Sequence, residues 1–414
     1  MTLGGFTVEP GGRIDTREEL LLALAIAAEL EHSLLVQYLF TAYSMRKRPG
    51  HGIDERQVEL VRDWEAGLLS VAREEMVHFA TVTKIAVAVG GAPHLNRPTF
   101  PQPAGAVFPF ELRLRRFGAD EIARFVRFET PADAVTAEAR ALAPDVPEFE
   151  YLGQLYTQIK DAITLLAAQH GDAWLLVGPE ELREAEDWGL NHEVRAIDSS
   201  DAAVRAIQEV IDEGEGGEVD VANSHWQRFL RIERELAEES RDHPGFEPAH
   251  PVVDNPVTRP HPGGTALAGA AREVAELFNH LYSTVLLVLG QYYAPAGESP
   301  EQREELQATA RRSMSAILRP VAEVLTGLEL HDGGTRACAG APFETYAPIA
   351  LPPAPAARWA VLGERLDRAQ AAAQQFGERG IERMPFIGEN IGLMREAIGR
   401  IAAGEGVGVA RPRV

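Results

Sequence analysis

The sequence predicts an all-α protein: a four-helix bundle with one long crossover, followed by a second helical region. Three observations predict it. Apolar residues recur at steps of three and four along most of the chain, which is helical spacing. No stretch reads as a hairpin or a βαβ unit. A long connection, Pro93 to Pro147, separates two pairs of helical patterns.

The first helix is expected from about Thr16 to Arg46. Asp15 and Thr16 supply a cap, and Glu18 and Glu19 suit the positive end of the dipole. Pro49-Gly50 ends that segment. The second helix is expected from about Asp54 to Val89, stopping at Gly90-Gly91 and Pro93. A short turn between them makes the two antiparallel neighbours. The connection carries Pro98, Pro101, Pro103 and Pro109 and one short helix near Ala119–Phe128. A third long helix spans about Pro147 to His170, a shorter one Asp201–Asp212, and a fourth long one about Glu218 to Glu239. One long crossover between helical pairs is the arrangement of ferritin-like bundles. Residues 243–264 hold six prolines and read as a linker between the bundle (1–242, with 93–147 as an insertion) and a C-terminal helical region (265–414). Helices are expected there at about Thr265–Tyr293, Pro300–Leu328, Ala354–Gln375 and Glu389–Ala403.

Composition excludes several functions. With 62 acids against 40 bases, the formal net charge is −22. Such a chain is a poor match for nucleic acid or for an anionic membrane surface. The single cysteine, Cys338, rules out an intrachain disulfide and any cysteine-based metal cluster. The apolar runs Leu20–Ala28 and Val285–Gly290 fall short of the roughly 18–20 residues of a spanning helix. Met1 to Arg13 has no basic start and no apolar core, so no signal peptide is expected there and the expectation is a cytoplasmic protein. No Gly-x-Gly-x-x-Gly follows an expected strand, so no nicotinamide or flavin site is expected.

The chemistry shows as polar residues on apolar stripes. On the second helix Val61, Trp64, Leu68, Val71, Glu75, His78, Val82, Ile85 and Val89 share a face, and only Glu75 and His78 interrupt it. They are three apart and so adjacent on the helix surface. On the first helix Glu31 interrupts the stripe Leu20, Leu24, Ala27, Leu34 and Tyr38. On the fourth, His225 interrupts Val221, Phe229, Ile232 and Leu236. An unpaired carboxylate in a core costs on the order of several kcal/mol. A metal cation offsets that cost, and inward-facing Glu-x-x-His is a di-metal pattern of helical bundles. A Glu-x-x-His pair is also common on solvated helices, and a lone core histidine is as readily a hydrogen-bonded one. His32 is read as facing another neighbour and supporting Glu31. Tyr38 and Tyr156 are read as core tyrosines with a bonded hydroxyl, and His280 as structural.

Several motifs resemble one family. They are Glu31-His32-Ser33-Leu34-Leu35-Val36-Gln37-Tyr38, Glu74-Glu75-Met76-Val77-His78, Gly90-Gly91-Ala92-Pro93, Asn96-Arg97-Pro98, Leu152-Gly153-Gln154-Leu155-Tyr156, Gly214-Glu215-Gly216, Ser224-His225-Trp226-Gln227-Arg228-Phe229 and Ala339-Gly340-Ala341-Pro342-Phe343-Glu344. Together they are similar to the ferritin-like domain of the iminophenyl-pyruvate dimer synthases of violacein and rebeccamycin type pathways. The resemblance implies a ferritin-like bundle and an oxidative role in making amino-acid-derived natural products. Its better-known members are longer chains that couple imine or enamine units. It carries Glu31, Glu75 and His78 over as catalytic and metal-binding residues. His225, and Glu215 if the Gly-Glu-Gly turn lets it reach inward, are the further candidate metal ligands. Tyr38, Gln154 and Tyr156 lie within the quoted motifs as candidates for the substrate site. Two positions depart from the pattern. Gln154 stands where a carboxylate is expected, with Glu150 one turn earlier, and Ala222 stands three before His225, with Glu215 and Glu218 the nearest acids.

The leading expectation is a non-haem iron oxidase or oxygenase, mononuclear or dinuclear, using O2 on a small amino-acid-derived substrate. A metal-handling protein without an organic substrate, and a structural bundle that has lost its metal, are the alternatives. A second copy of the chain, giving a homodimer, stays open as a partner.

Overall fold

The computed structural model describes residues 13–105, 108, 110–130, 148–183, 194–215, 224–330 and 337–404, with the backbone alone at 148–152 and 214–215. It divides into two compact units, Met1–Ala249 and His250–Val414.

The first unit is an α-helical bundle of the ferritin-like kind. Helix α1 (Arg17–Tyr43) opens on a capping box, in which Thr16 accepts from the Glu19 N–H and the Glu19 carboxylate accepts in return. Helix α2 (Glu55–Ala88) opens on a second, between Asp54 and Gln57, and ends before Gly90, whose φ of +97° lies where glycine is favoured. The two pack along their length. With 34 residues, α2 is about 51 Å long at 1.5 Å per residue. Helix α3 (Ala119–Phe128) lies where it was expected in the connection. Helix α4 (Glu148–His170) packs on α1, and α5 (Ser200–Val210) packs on α4 and α2. A π turn, Ile211–Glu215, extends α5.

The last bundle helix, α6 (His225–Asp242), starts later than the sequence suggested. Ser224 is its cap, with the hydroxyl accepting from the Gln227 N–H, so His225 is the first helical residue rather than a mid-helix one. Residues 216–223, including Glu218 and Ala222, lie outside the described residues, as do the side chains of Glu150 and Glu215.

The connection is tied to α1 by three buried polar side chains on one face. Gln37 Oε1 accepts from the Arg113 N–H, Thr41 Oγ1 donates to the Arg115 carbonyl, and Ser44 Oγ accepts from the Phe117 N–H. Phe117 stacks on Trp64 of α2. This anchorage leads into α3, which packs against α6 through Phe125 and Phe229, ring centroids 5.4 Å apart.

The second unit holds α7 (Gly269–Tyr293), α8 (Pro300–Ser313), α9 (Arg319–Leu325), α10 (Pro355–Glu378) and α11 (Met384–Ala402). Three expectations are corrected here. A two-residue parallel pair, β1 (Pro256–Val257) with β2 (Thr265–Ala266), takes the start assigned to α7. The single helix drawn over Pro300–Leu328 is interrupted by a π turn at Met314–Leu318. Pro320 is the cause: it lacks an N–H, and its ring displaces the carbonyl four residues back. That carbonyl, of Ala316, accepts from Asn390 Nδ2 at 3.2 Å instead. Helix α11 starts at Met384 rather than Glu389, because Pro385 fits a first helical turn. No described helix is long and apolar enough to cross a membrane.

Candidate metal centre

Four elements deliver five side chains to the middle of the bundle. Helix α1 supplies Glu31, α2 supplies Glu75 and His78, α6 supplies His225, and the residue closing α3 supplies Glu129. All five are buried. They form two groups, Glu31 with Glu75 and His78, and Glu75 with Glu129 and His225. Within each group one ligand-type atom per residue lies within 4.8 Å of the others. Glu75 belongs to both.

The inner atoms approach without bonding. His78 Nδ1 lies 3.6 Å from Glu31 Oε2 and 3.7 Å from Glu75 Oε2. His225 Nδ1 lies 3.0 Å from Glu75 Oε1 and 3.3 Å from Glu129 Oε2. Yet Glu31 Oε2, both Glu75 oxygens and both Nδ1 atoms have no hydrogen-bond partner. Each such orphan costs about 1–3 kcal/mol when buried. Carboxylate oxygen and imidazole nitrogen are the donor set of iron and manganese, so a cation among these atoms fits the residues present.

The outer atoms, by contrast, are held. His78 Nε2 meets Glu213 Oε2 at 3.2 Å, and His225 Nε2 meets Glu74 Oε2 at 2.9 Å. A carboxylate at Nε2 favours the proton there and turns the Nδ1 lone pair inward. Glu74 is held in turn by Arg228 Nη1 at 2.7 Å. The Tyr156 hydroxyl donates to Glu31 Oε1, and the Tyr38 hydroxyl to Glu129 Oε1. Each tyrosine therefore occupies one oxygen of a carboxylate and leaves the other facing the centre.

The electrostatics favour positive charge here. Burial, reinforced by the Glu75 charge, pushes the Glu31 carboxyl up to about 8. Burial also raises Glu75, but His225 and His78 outweigh it and hold Glu75 below the usual carboxylate range. Burial opposes charge on both imidazoles, yet the carboxylates of Glu213, Glu31 and Glu75 raise His78, and those of Glu129, Glu74 and Glu75 raise His225. Glu74 is pushed down to about 2, with His225 and Arg228 overcoming its burial. Protons on the imidazoles or a metal cation can supply the charge these acids attract.

Of the residues singled out from sequence, Glu31, Glu75, His78 and His225 come together. Tyr38 and Tyr156 are beside them, with their hydroxyls turned onto acids of the two groups. Gln154 is only half buried. His32 is buried against Phe79, ring centroids 5.0 Å apart, and its pKa is lowered by burial. His280 Nε2 meets the Arg365 carbonyl at 2.8 Å, a structural tie. Sequence reasoning gave no role to Glu129, Glu74 or Glu213. Glu129 completes the second group; the side chains of Glu150 and Glu215, the acids the sequence offers there, lie outside the described residues.

A helical bundle carrying paired carboxylate–imidazole groups at its centre defines the class, and residues 24–234 match the family model described as ferritin-like. The chain belongs to that family. Two curated relatives are similar over most of it. One is the 2-imino-3-(indol-3-yl)propanoate dimerase of Chromobacterium violaceum, 29% identical over 339 residues, 76% of this chain and 33% of the relative. The other is the dichlorochromopyrrolate synthase of Lentzea aerocolonigenes, 28% identical over 401 residues, 85% of this chain and 38% of the relative. The chain thus spans about a third of their length. A solved ferritin-like protein from Caulobacter vibrioides shares the fold, with a TM-score of 0.50 and 18% identity over 75% of this chain and 96% of that one.

Proposed function

We propose that the chain is a metal-dependent oxidoreductase of natural-product biosynthesis, holding two iron ions that share Glu75. Its substrate in this reading is a small amino-acid-derived molecule, with dioxygen as co-substrate, and the favoured reaction is oxidative coupling of imine or enamine units. The observation that carries the metal is the set of orphaned inner atoms on Glu31, Glu75, His78 and His225. In a purely structural cluster, imidazoles this close to carboxylates would align as hydrogen bonds. The activities for which the two relatives are named support the substrate class.

The chain's own contributions follow from the geometry. Glu31, Glu75 and His78 would hold one ion, and Glu75, Glu129 and His225 the other. Tyr156 and Tyr38 fix the carboxylate orientations, and Glu213 and Glu74 fix the imidazoles. Iron bound there would supply a redox couple and the activation of dioxygen. The buried rings of Phe125 and Phe229 keep water from the Glu129 side.

The test compares wild type with Glu75→Ala, both checked for fold by circular dichroism. Iron per chain, oxygen uptake and product mass are followed with an imine generated from an aromatic amino acid. The expected result is iron and oxygen uptake in the wild type and a loss of about 100-fold or more in the variant. Full activity in Glu75→Ala would overturn the metal mechanism.

A further inference from the structure

The two groups share a carboxylate but differ in how they meet the solvent. On the His225 side both supporting carboxylates, Glu74 and Glu129, are buried. Glu74 is 5% exposed at its side chain and is clamped by Arg228. Glu129 is held by Tyr38, which packs edge-on against Phe125 at 4.6 Å and against Phe229 at 5.2 Å. On the His78 side the outer support is Glu213, whose side chain is 42% exposed. Of the five carboxylates that touch the two imidazoles, Glu213 is the one that reaches solvent. It sits on the π turn after α5, an irregular turn of a kind that often marks functional positions.

We propose that the metal position at Glu31, Glu75 and His78 exchanges with solvent by way of Glu213, whereas the position at Glu75, Glu129 and His225 retains its ion. This rests on the two-metal reading above. A solvent-facing carboxylate touching the buried imidazole gives an incoming cation a ligand before it reaches the inner atoms. No such ligand faces solvent among the described supports of His225.

The full chain is loaded with Co2+, desalted and challenged with excess chelator, and cobalt release is followed by absorbance and metal analysis. Two equivalents are expected, one leaving about tenfold or more faster than the other. His78→Ala should keep only the slow equivalent, and His225→Ala only the fast one. Glu213→Gln keeps an acceptor for the His78 N–H but removes the charge. It should slow loading of the fast equivalent about tenfold and leave the slow one unmoved. A single release phase for two equivalents, or unchanged loading of the fast equivalent in Glu213→Gln, overturns this proposal alone. Fewer than two equivalents in the wild type overturns the two-metal reading and this proposal with it.

Discussion

Glu129 caps the C-terminal end of α3, where the helix dipole is negative and an acid is disfavoured. That local cost, in a short helix outside the four long patterns, was the signal available in the sequence. It was easy to miss, because Glu129 interrupts no apolar stripe. Glu31, Glu75, His78 and His225 were legible for the opposite reason: each breaks a stripe that is otherwise apolar. Glu74 was hidden by its neighbour, since the sequence does not say which of two adjacent acids faces inward. The structure uses both, Glu75 at the centre and Glu74 behind His225. In Glu129→Gln, which keeps the shape and the Tyr38 contact, iron per chain should fall from about two to about one. Metal analysis checks this, and an unchanged count would remove Glu129 from the centre.

Helix termini were read well where caps are local. The cap at Thr16 and the stop at Gly90 are chemistry within a few residues. The π turn before Pro320 is not legible, since the apolar periodicity runs through it and Asn390, which donates to the freed Ala316 carbonyl, lies 74 residues from that carbonyl. Elements also meet through Glu239 near the end of α6. It accepts from Arg56 Nη2 at 2.5 Å and Gln57 Nε2 at 2.7 Å, both in the first turn of α2. Burial raises the Glu239 pKa, but Arg56, Gln57 and His243 outweigh it and hold it below the ordinary value. A depressed folded pKa adds stability above the unfolded value of about 4.3 and loses it as pH falls through the folded pKa. Glu239→Gln should therefore be less stable than wild type at neutral pH, with the difference shrinking as pH drops below about 4. Denaturant unfolding across that range checks it, and a gap that persists at low pH would contradict it.

At the scale of the molecule, the all-α class and the ferritin-like bundle were legible from periodicity and the single long crossover. The curated relatives bear out the family resemblance. What the sequence withheld was how the connection between helix pairs takes part, because that depends on contacts far apart in the chain. Binding raises the stability of whatever folded unit holds the ligand. At metal concentrations about a hundredfold above Kd the gain is about 2.7 kcal/mol, which for a unit of this size is about 5–10 °C in Tm. Calorimetry of the wild type with and without iron should show that rise, and Glu75→Ala should show none. An equal rise in the variant would place the bound metal elsewhere.

Surface connections ordinarily drift in length between relatives, since insertions there disturb little. The one between α2 and α4 has lost that freedom over part of its course. From Arg113 to Glu129 it is pinned to α1 by Gln37, Thr41 and Ser44 and ends on an acid facing His225. A deletion or insertion of one residue within α3 would turn Glu129 about 100° around the helix, away from the centre. Length variation in this lineage should therefore collect outside 113–129, and a minimal bundle engineered by trimming the crossover would discard Glu129, one of the five donors.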